Sequence, residues 1–331
     1  MDPLRVGILG TGWMATEHRR ALAAAAGASL VAVCDLDKER AGTFAGGTGA
    51  RVYSDWRDML DREDLAALFI CVPPLAHREP AVAALGRGLP VYLEKPIART
   101  AQDAAAIVAA AQGSGTVCAI GYQWRALDLL DELPPLLTGQ EIGLLVGTSI
   151  GPTQSRPWFL DRQAGGGNLL ERGSHHLDLA RAVAGEVRSV QAAAGRVLLA
   201  RGAAGGPGDI DDAVTILLEM ASGALATIVV AWTRDGQPGR YALDVVASEA
   251  TLRLELDPAF TLGGSSRGTP VTRRAAAHPL DRSVQTFLTA VRERDPAAVV
   301  CPPSDAAATL AVAAAAERAL ATGRAVEVTA Q

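Results

Sequence analysis

Leu4-Arg5-Val6-Gly7-Ile8-Leu9 runs into Gly10-Thr11-Gly12-Trp13-Met14-Ala15, and Asp35 closes a second apolar run, Leu30-Val31-Ala32-Val33-Cys34. An apolar strand, a Gly-x-Gly-x-x-Ala turn, a helical stretch and an acid after a second strand make the layout of a βαβ dinucleotide-binding unit. Gly10 permits the tight turn, Gly12 lets the backbone approach a pyrophosphate, and Ala15 lets the helix pack close to the strand. Free N–H groups at the helix start favour a cofactor pyrophosphate lying over Gly10–Met14, Thr11 and Trp13 included. Asp35 can accept hydrogen bonds from both ribose hydroxyls and would repel a 2′-phosphate, so NAD is favoured over NADP. Lys38 and Arg40 follow closely and soften that preference.

Outward from this stretch, apolar runs and helical patterns alternate to about residue 122. Strands are expected at 4–9, 29–34, 50–53, 67–72, 89–94 and 116–121, and helices at 13–26, 37–45, 55–62, 75–87 and 101–113. The pattern predicts a doubly wound parallel sheet, an α/β Rossmann domain over 1–122, with ligands outside the carboxyl ends of the strands. Val72-Pro73-Pro74, His77, Glu94-Lys95-Pro96 and Gly121-Tyr122-Gln123 all lie near those ends. Over 123–331 the pattern changes. A strand at 144–150, a helix at 168–184 and alternating runs at 212–220, 223–233 and 240–247 predict an α+β domain with an open, mostly antiparallel sheet. Two helices near 280–294 and 304–322 and a short strand at 325–328 close the chain. The glycine-rich patches 202–208 and 263–268 read as hairpin connections.

Composition narrows the function classes. The 331 residues are 49% hydrophobic and 20% charged, as in ordinary soluble domains. A net charge of −5 offers no basic footprint for nucleic acid. No stretch is long and apolar enough to span a bilayer, and a strand expected from residue 4 leaves no room for a signal peptide. The four cysteines have no Cys-x-x-Cys spacing and suit a reducing cytoplasm. No histidine pair has zinc-site spacing with a third ligand, so no metal is expected.

Two further motifs carry chemistry. Lys95 projects from a strand end, and Pro96 restricts it to an extended backbone. Its amine can hydrogen-bond a substrate hydroxyl or help move its proton; it also reads as a surface lysine paired with Glu94. In Gly165-Gly166-Gly167-Asn168-Leu169-Leu170-Glu171-Arg172-Gly173-Ser174-His175-His176-Leu177-Asp178, helical spacing puts Glu171, His175 and Asp178 on one face. His175 suits proton transfer near neutral pH, with Glu171 or Asp178 orienting its ring. Asn168 and Glu171 equally read as a capping box, with His175 a solvated surface residue. Trp124, Arg125, Trp158 and Arg162 lie close to these motifs: the tryptophans suit sugar stacking or packing, and the arginines suit anionic groups.

These motifs, in this order, resemble the glucose–fructose oxidoreductase, inositol dehydrogenase and rhizopine-catabolism (Gfo/Idh/MocA) family nearly end to end, including Gly173-x-His175-x-x-Asp178 and the closing Ala-Thr-Gly-Arg. The resemblance implies hydride transfer between a nicotinamide and a carbinol carbon of a sugar, polyol or related compound. It also implies a C-terminal sheet that forms a homodimer or homotetramer. By position, Lys95 matches the family lysine near the reacting hydroxyl and His175 the acid/base histidine. Glu171 stands where many members have aspartate. Two other functions fit the same motifs: a glycosidase or lyase using NAD transiently, and a non-catalytic NAD-binding regulator.

Overall fold

A computed structural model describes residues 2–153, 157–197, 210–233 and 238–329. The first part of the chain alternates strictly: β1 (Leu4–Leu9), α1 (Trp13–Ala24), β2 (Ala28–Cys34), α2 (Lys38–Ala45), β3 (Arg51–Tyr53), α3 (Trp56–Arg62), β4 (Ala67–Ile70), α4 (Arg78–Gly86), β5 (Val91–Leu93), α5 (Ala101–Ser114) and β6 (Cys118–Ile120). Then come α6 (Leu133–Leu137), β7 (Ile142–Pro152), α7 (Arg162–Gly165), α8 (Ser174–Ala184), β8 (Val187–Gly195), β9 (Ala213–Met220), β10 (Leu225–Thr233), β11 (Arg240–Ala247), β12 (Ala250–Asp257), β13 (Thr261–Ser266) and β14 (Thr269–Arg274). The chain closes with α9 (Pro279–Glu293), α10 (Pro303–Thr322) and β15 (Val326–Glu327).

Two compact units result, the first from residues 1–126 and 279–307, the second from 127–278 and 308–331. In the first, six strands lie in the order β3-β2-β1-β4-β5-β6, every pairing parallel. The order reverses at β1/β4, and in such sheets the ligand crevice lies outside the strand ends at that switch. β4 reads as an unbroken apolar run, and β1 does so from Val6 onward, because both sheet faces are covered there. A linear division at residue 122 does not include the return of α9 to this unit. Its apolar stripe, Leu280, Val284, Phe287 and Leu288, joins Val6, Ile8, Phe69 and Tyr92 in one core.

The second unit holds a nine-stranded sheet in the order β14-β13-β12-β11-β7-β10-β9-β8-β15. All pairings are antiparallel except β7 with β10. Buried residues alternate with half-exposed ones along β7, β9 and β10, as expected when one face packs on a core. The 263–268 patch does hold a hairpin turn, but only in its last two residues. Gly263 and Gly264 are inside β13, and the turn falls at Arg267-Gly268. Gly264 is needed where it is because φ is +128° and a Cβ would lie 2.1 Å from the Thr251 carbonyl oxygen. The 202–208 patch lies outside the described residues.

Candidate active site

The nucleotide cradle is built by β1, the turn after it and the start of α1. Gly10 has φ +87°, and a Cβ there would sit 2.7 Å from the Cys71 carbonyl oxygen, so only glycine makes this turn. Gly12 is the N-cap of α1, with no atom within 4 Å of a built Cβ. Open backbone at a helix start fits a pyrophosphate. Trp13 is exposed, Met14 is half-buried and Ala15 is fully buried against the sheet.

Asp35 is buried at the end of β2. Its Oδ2 accepts the Thr11 backbone N–H at 2.8 Å and the Thr11 hydroxyl at 2.6 Å. Its Oδ1 accepts the Asp37 N–H at 3.0 Å and Arg40 Nη2 at 2.5 Å. Burial alone raises this carboxyl, but the Thr11 and Arg40 hydrogen bonds outweigh it and hold Asp35 below its ordinary value. The Asp35 carboxylate is therefore ionised, fixed and flanked by a guanidinium. A cleft of about 520 Å³ lined by Thr11, Thr16, Arg19, Arg40 and Phe44 opens beside it.

At the next strand ends, Val72 and Pro73 are half-buried and Pro74 starts a 3₁₀ turn. His77 does not line an open crevice. Its ring is fully buried, with Nε2 2.9 Å from the Val72 carbonyl oxygen and Nδ1 3.3 Å from that of Ile97. Burial lowers its pKa, so the ring braces one strand end against the loop after Lys95. Glu94 is 5% exposed. One carboxylate oxygen lies 2.6 Å from His18 Nε2, and the other accepts the Lys95 backbone N–H at 3.2 Å. Glu94 is thus a buried support, and the Lys95 side chain is half-buried at the strand end. Gln123 is half-buried after β6, and Trp124 is buried beside it. Arg125 pairs with Asp305.

In the second unit, Leu169–Gly173 form a π-helical turn that leads into α8. This corrects the single-helix reading over 168–184. The wider i→i+5 turn breaks the regular spacing between Glu171 and His175. Glu171 and His175 are half-exposed together, whereas Asp178 is 1% exposed and accepts the Thr309 hydroxyl at 2.9 Å. Arg181 donates to the same hydroxyl at 2.8 Å. Asp178 is therefore anchored in the unit's interior. The capping box does not form: Asn168 has helical backbone angles and no capping hydrogen bond, and its Nδ2 donates to the Asp212 carbonyl at 3.2 Å. Trp158 lies 4.0 Å from Phe159, centroid to centroid, in a cluster with Ile210 and Trp232. Arg162 donates to Asp211 at 2.6 Å. Both arginines expected to take anionic substrate groups are thus already bound to carboxylates.

His18, a weak signal in the sequence, sits on α1 seventy-six residues before its partner Glu94. The four cysteines are free thiols. Burial, with help from the Asp35 charge, pushes the Cys34 thiol up to about 12, and burial pushes Cys118 up to about 12, so both are packing residues. Among the described residues, no group of three or more His, Cys, Asp or Glu could hold a metal ion, and no helix is long and apolar enough to cross a membrane.

The family model described as an oxidoreductase family with an NAD-binding Rossmann fold matches residues 4–122, and the GFO/IDH/MocA C-terminal domain matches 145–253. Levoglucosan dehydrogenase of Pseudarthrobacter phenanthrenivorans is 27% identical over 320 residues, 84% of this chain and 82% of that protein. An inositol 2-dehydrogenase of Streptomyces avermitilis is 32% identical over 232 residues, 69% of this chain and 65% of that protein. Among solved structures, an oxidoreductase domain protein from Kribbella flavida superposes with a TM-score of 0.89 at 23% identity, covering 99% of this chain and 100% of that one. A levoglucosan dehydrogenase in complex with NADH and levoglucosan gives 0.86 at 22%, covering 99% and 100%. With an NAD-binding cradle in its first unit and both family domains matched, the chain belongs to the Gfo/Idh/MocA family and is an NAD(P)-dependent oxidoreductase.

Proposed function

We propose that this enzyme moves a hydride between the nicotinamide and a secondary hydroxyl or ketone carbon of a sugar or polyol, with NAD preferred over NADP. The half-buried Lys95, two residues beyond β5 in a nucleotide-binding unit, carries this reading. The levoglucosan and inositol dehydrogenases among its relatives support the substrate class. Gly10–Met14 hold the pyrophosphate, with Val72, Pro73, Pro74, Glu94 and Gln123 bordering the same strand ends. Bound nicotinamide supplies the hydride acceptor or donor. In the oxidative direction, His175 takes the proton from the substrate hydroxyl oxygen while the Lys95 ammonium stabilises the negative charge developing on that oxygen. In the reductive direction both groups serve in reverse. Glu171, half-exposed beside His175, orients the imidazole. Asp178 acts from behind, by fixing α8.

Levoglucosan, inositol and glucose 6-phosphate, each offered with NAD and with NADP, test the class through absorbance of the reduced cofactor. On the best substrate, Lys95→Met and His175→Asn should each lower kcat by roughly 10²–10⁴ and leave NAD affinity in a fluorescence titration almost unchanged. Wild-type turnover from both variants would defeat the assignment.

The half-exposed face of the nine-stranded sheet carries Leu144, Val146, Leu217 and Val229. That apolar surface supports a homodimer or homotetramer built on the sheet, and the free thiols support a cytoplasmic setting. Sedimentation should show Val229→Arg shifted toward monomer.

A further inference from the structure

His18 and Glu94 form a buried polar pair inside an otherwise apolar core. His18 is fully buried on α1. Its ring lies 5.3 Å from Phe69 and 4.9 Å from Tyr92, centroid to centroid. Nε2 is 2.6 Å from Glu94 Oε1, and Nδ1 has no hydrogen-bond partner. Placing a proton on Nδ1 would bury an N–H with no acceptor. The geometry therefore puts the ring proton on Nε2, where it is donated to the carboxylate. The second Glu94 oxygen holds the Lys95 backbone N–H. Gly121 closes the third side, because a Cβ there would approach the carboxylate to 3.1 Å. The Glu94 backbone N–H is itself fixed by the Ile70 carbonyl at 3.0 Å. The carboxylate thus cannot swing away, and its orientation depends on the imidazole.

We propose that His18 is a positioning residue for Lys95, acting through the Glu94 carboxylate. The proposal rests on the assignment of Lys95 to the reaction. Removing the His18 donor frees the carboxylate to rotate, loosens the Lys95 N–H and lets the amine drift from its working position. Displacements of this kind lower turnover without weakening ground-state binding.

The test compares His18→Phe, which keeps ring volume and removes the donor, with His18→Gln, which restores an N–H close to the Nε2 position. On whichever of levoglucosan, inositol or glucose 6-phosphate the wild-type enzyme turns over best, His18→Phe should lower kcat by about 10- to 100-fold. KM for sugar and NAD should stay within about twofold, and His18→Gln should recover most of the loss. His18→Phe combined with Glu94→Gln should be no slower than Glu94→Gln alone, since both break one relay. A readout independent of turnover is the ¹H–¹⁵N spectrum of the NAD-free protein. His18 should carry its proton on Nε2, and the Lys95 amide should move upfield in His18→Phe. Wild-type kcat with an unmoved Lys95 amide in His18→Phe overturns the proposal. If His18→Phe does not fold, an Nδ1-protonated ring in the wild-type protein or wild-type kcat from Glu94→Gln overturns it. Loss of activity in Lys95→Met with none in His18→Phe removes this inference alone. Full activity in Lys95→Met removes the lysine assignment first.

Discussion

At the scale of single residues, Asp35 shows how one carboxylate serves both fold and ligand choice. It holds Thr11 and Arg40, and we propose that it also receives the adenosine ribose. Asp35→Ala should weaken NAD binding by roughly tenfold or more, the value of hydrogen bonds to a charged group. It should bind NADP relatively better, because Arg40 then keeps only the longer 3.7 Å pair with Asp37 and can meet a 2′-phosphate. Paired titrations with both cofactors check this; an unchanged NAD/NADP ratio contradicts it. Asp35 was legible because an acid at the end of a second strand has a position readable from spacing alone. Arg40 was visible as a nearby charge, but not as the group bound to Asp35, since side-chain direction depends on α2 being capped by Asp37. His18 carried almost no signal, because its partner lies seventy-six residues on. A lone histidine on an amphipathic helix does not announce what it will meet.

At the scale of elements, α8 and β7 meet through a histidine and a glycine. His176 is fully buried, and its ring donates from Nε2 to the Ala242 carbonyl at 3.1 Å. A Cβ on Gly147 would lie 2.8 Å from its Cδ2 and 3.3 Å from Ile228. Gly147→Ala should therefore cost about 1–3 kcal/mol by overpacking, measured as a lower urea midpoint; an unchanged midpoint would mean the ring can yield. Burial lowers the His176 pKa to about 4 from 6.5. Below pH 6.5 the unfolded chain takes up a proton that the folded one refuses. Stability is lost as pH falls from 6.5 toward 4 and then levels, by about 3 kcal/mol in all. His176→Gln should flatten the stability–pH slope across that window; an equal slope in both proteins rejects it. The alternation of the Rossmann strands and helices was readable because the central parallel strands, covered on both faces, are mainly apolar runs. The π-helical turn before α8 was not, since its wider winding depends on contacts made by Asn168 and Arg172 far along the chain.

At the scale of the molecule, the nucleotide-binding unit is discontinuous. Besides its apolar stripe, α9 supplies Ser283, whose hydroxyl lies 2.8 Å from that of Tyr92, and Asp281, which accepts Arg20 Nη2 at 2.7 Å. Phe287 sits edge-on to Phe69 and Tyr92. Phe287→Ala should cost about 3–5 kcal/mol and lower the melting temperature with NAD-dependent protection lost in parallel. A fragment ending at residue 126 should bind a hydrophobic dye and unfold without a cooperative transition; a sharp transition would show that the sheet stands without α9. The amphipathic pattern of 280–294 was clear in the sequence, but periodicity says which face of a helix is apolar and not which sheet receives it.

The late arrival of α9 also governs how the protein can be made. A ribosome releases the glycine turn, Asp35 and Lys95 long before it releases Leu280 or Phe287. Until then Val6, Ile8 and Tyr92 lack the surface that completes their burial, so the nucleotide-binding unit waits for residues 279–307 to be made. Chains cut short before that point should leave this apolar surface open to water and be prone to aggregate.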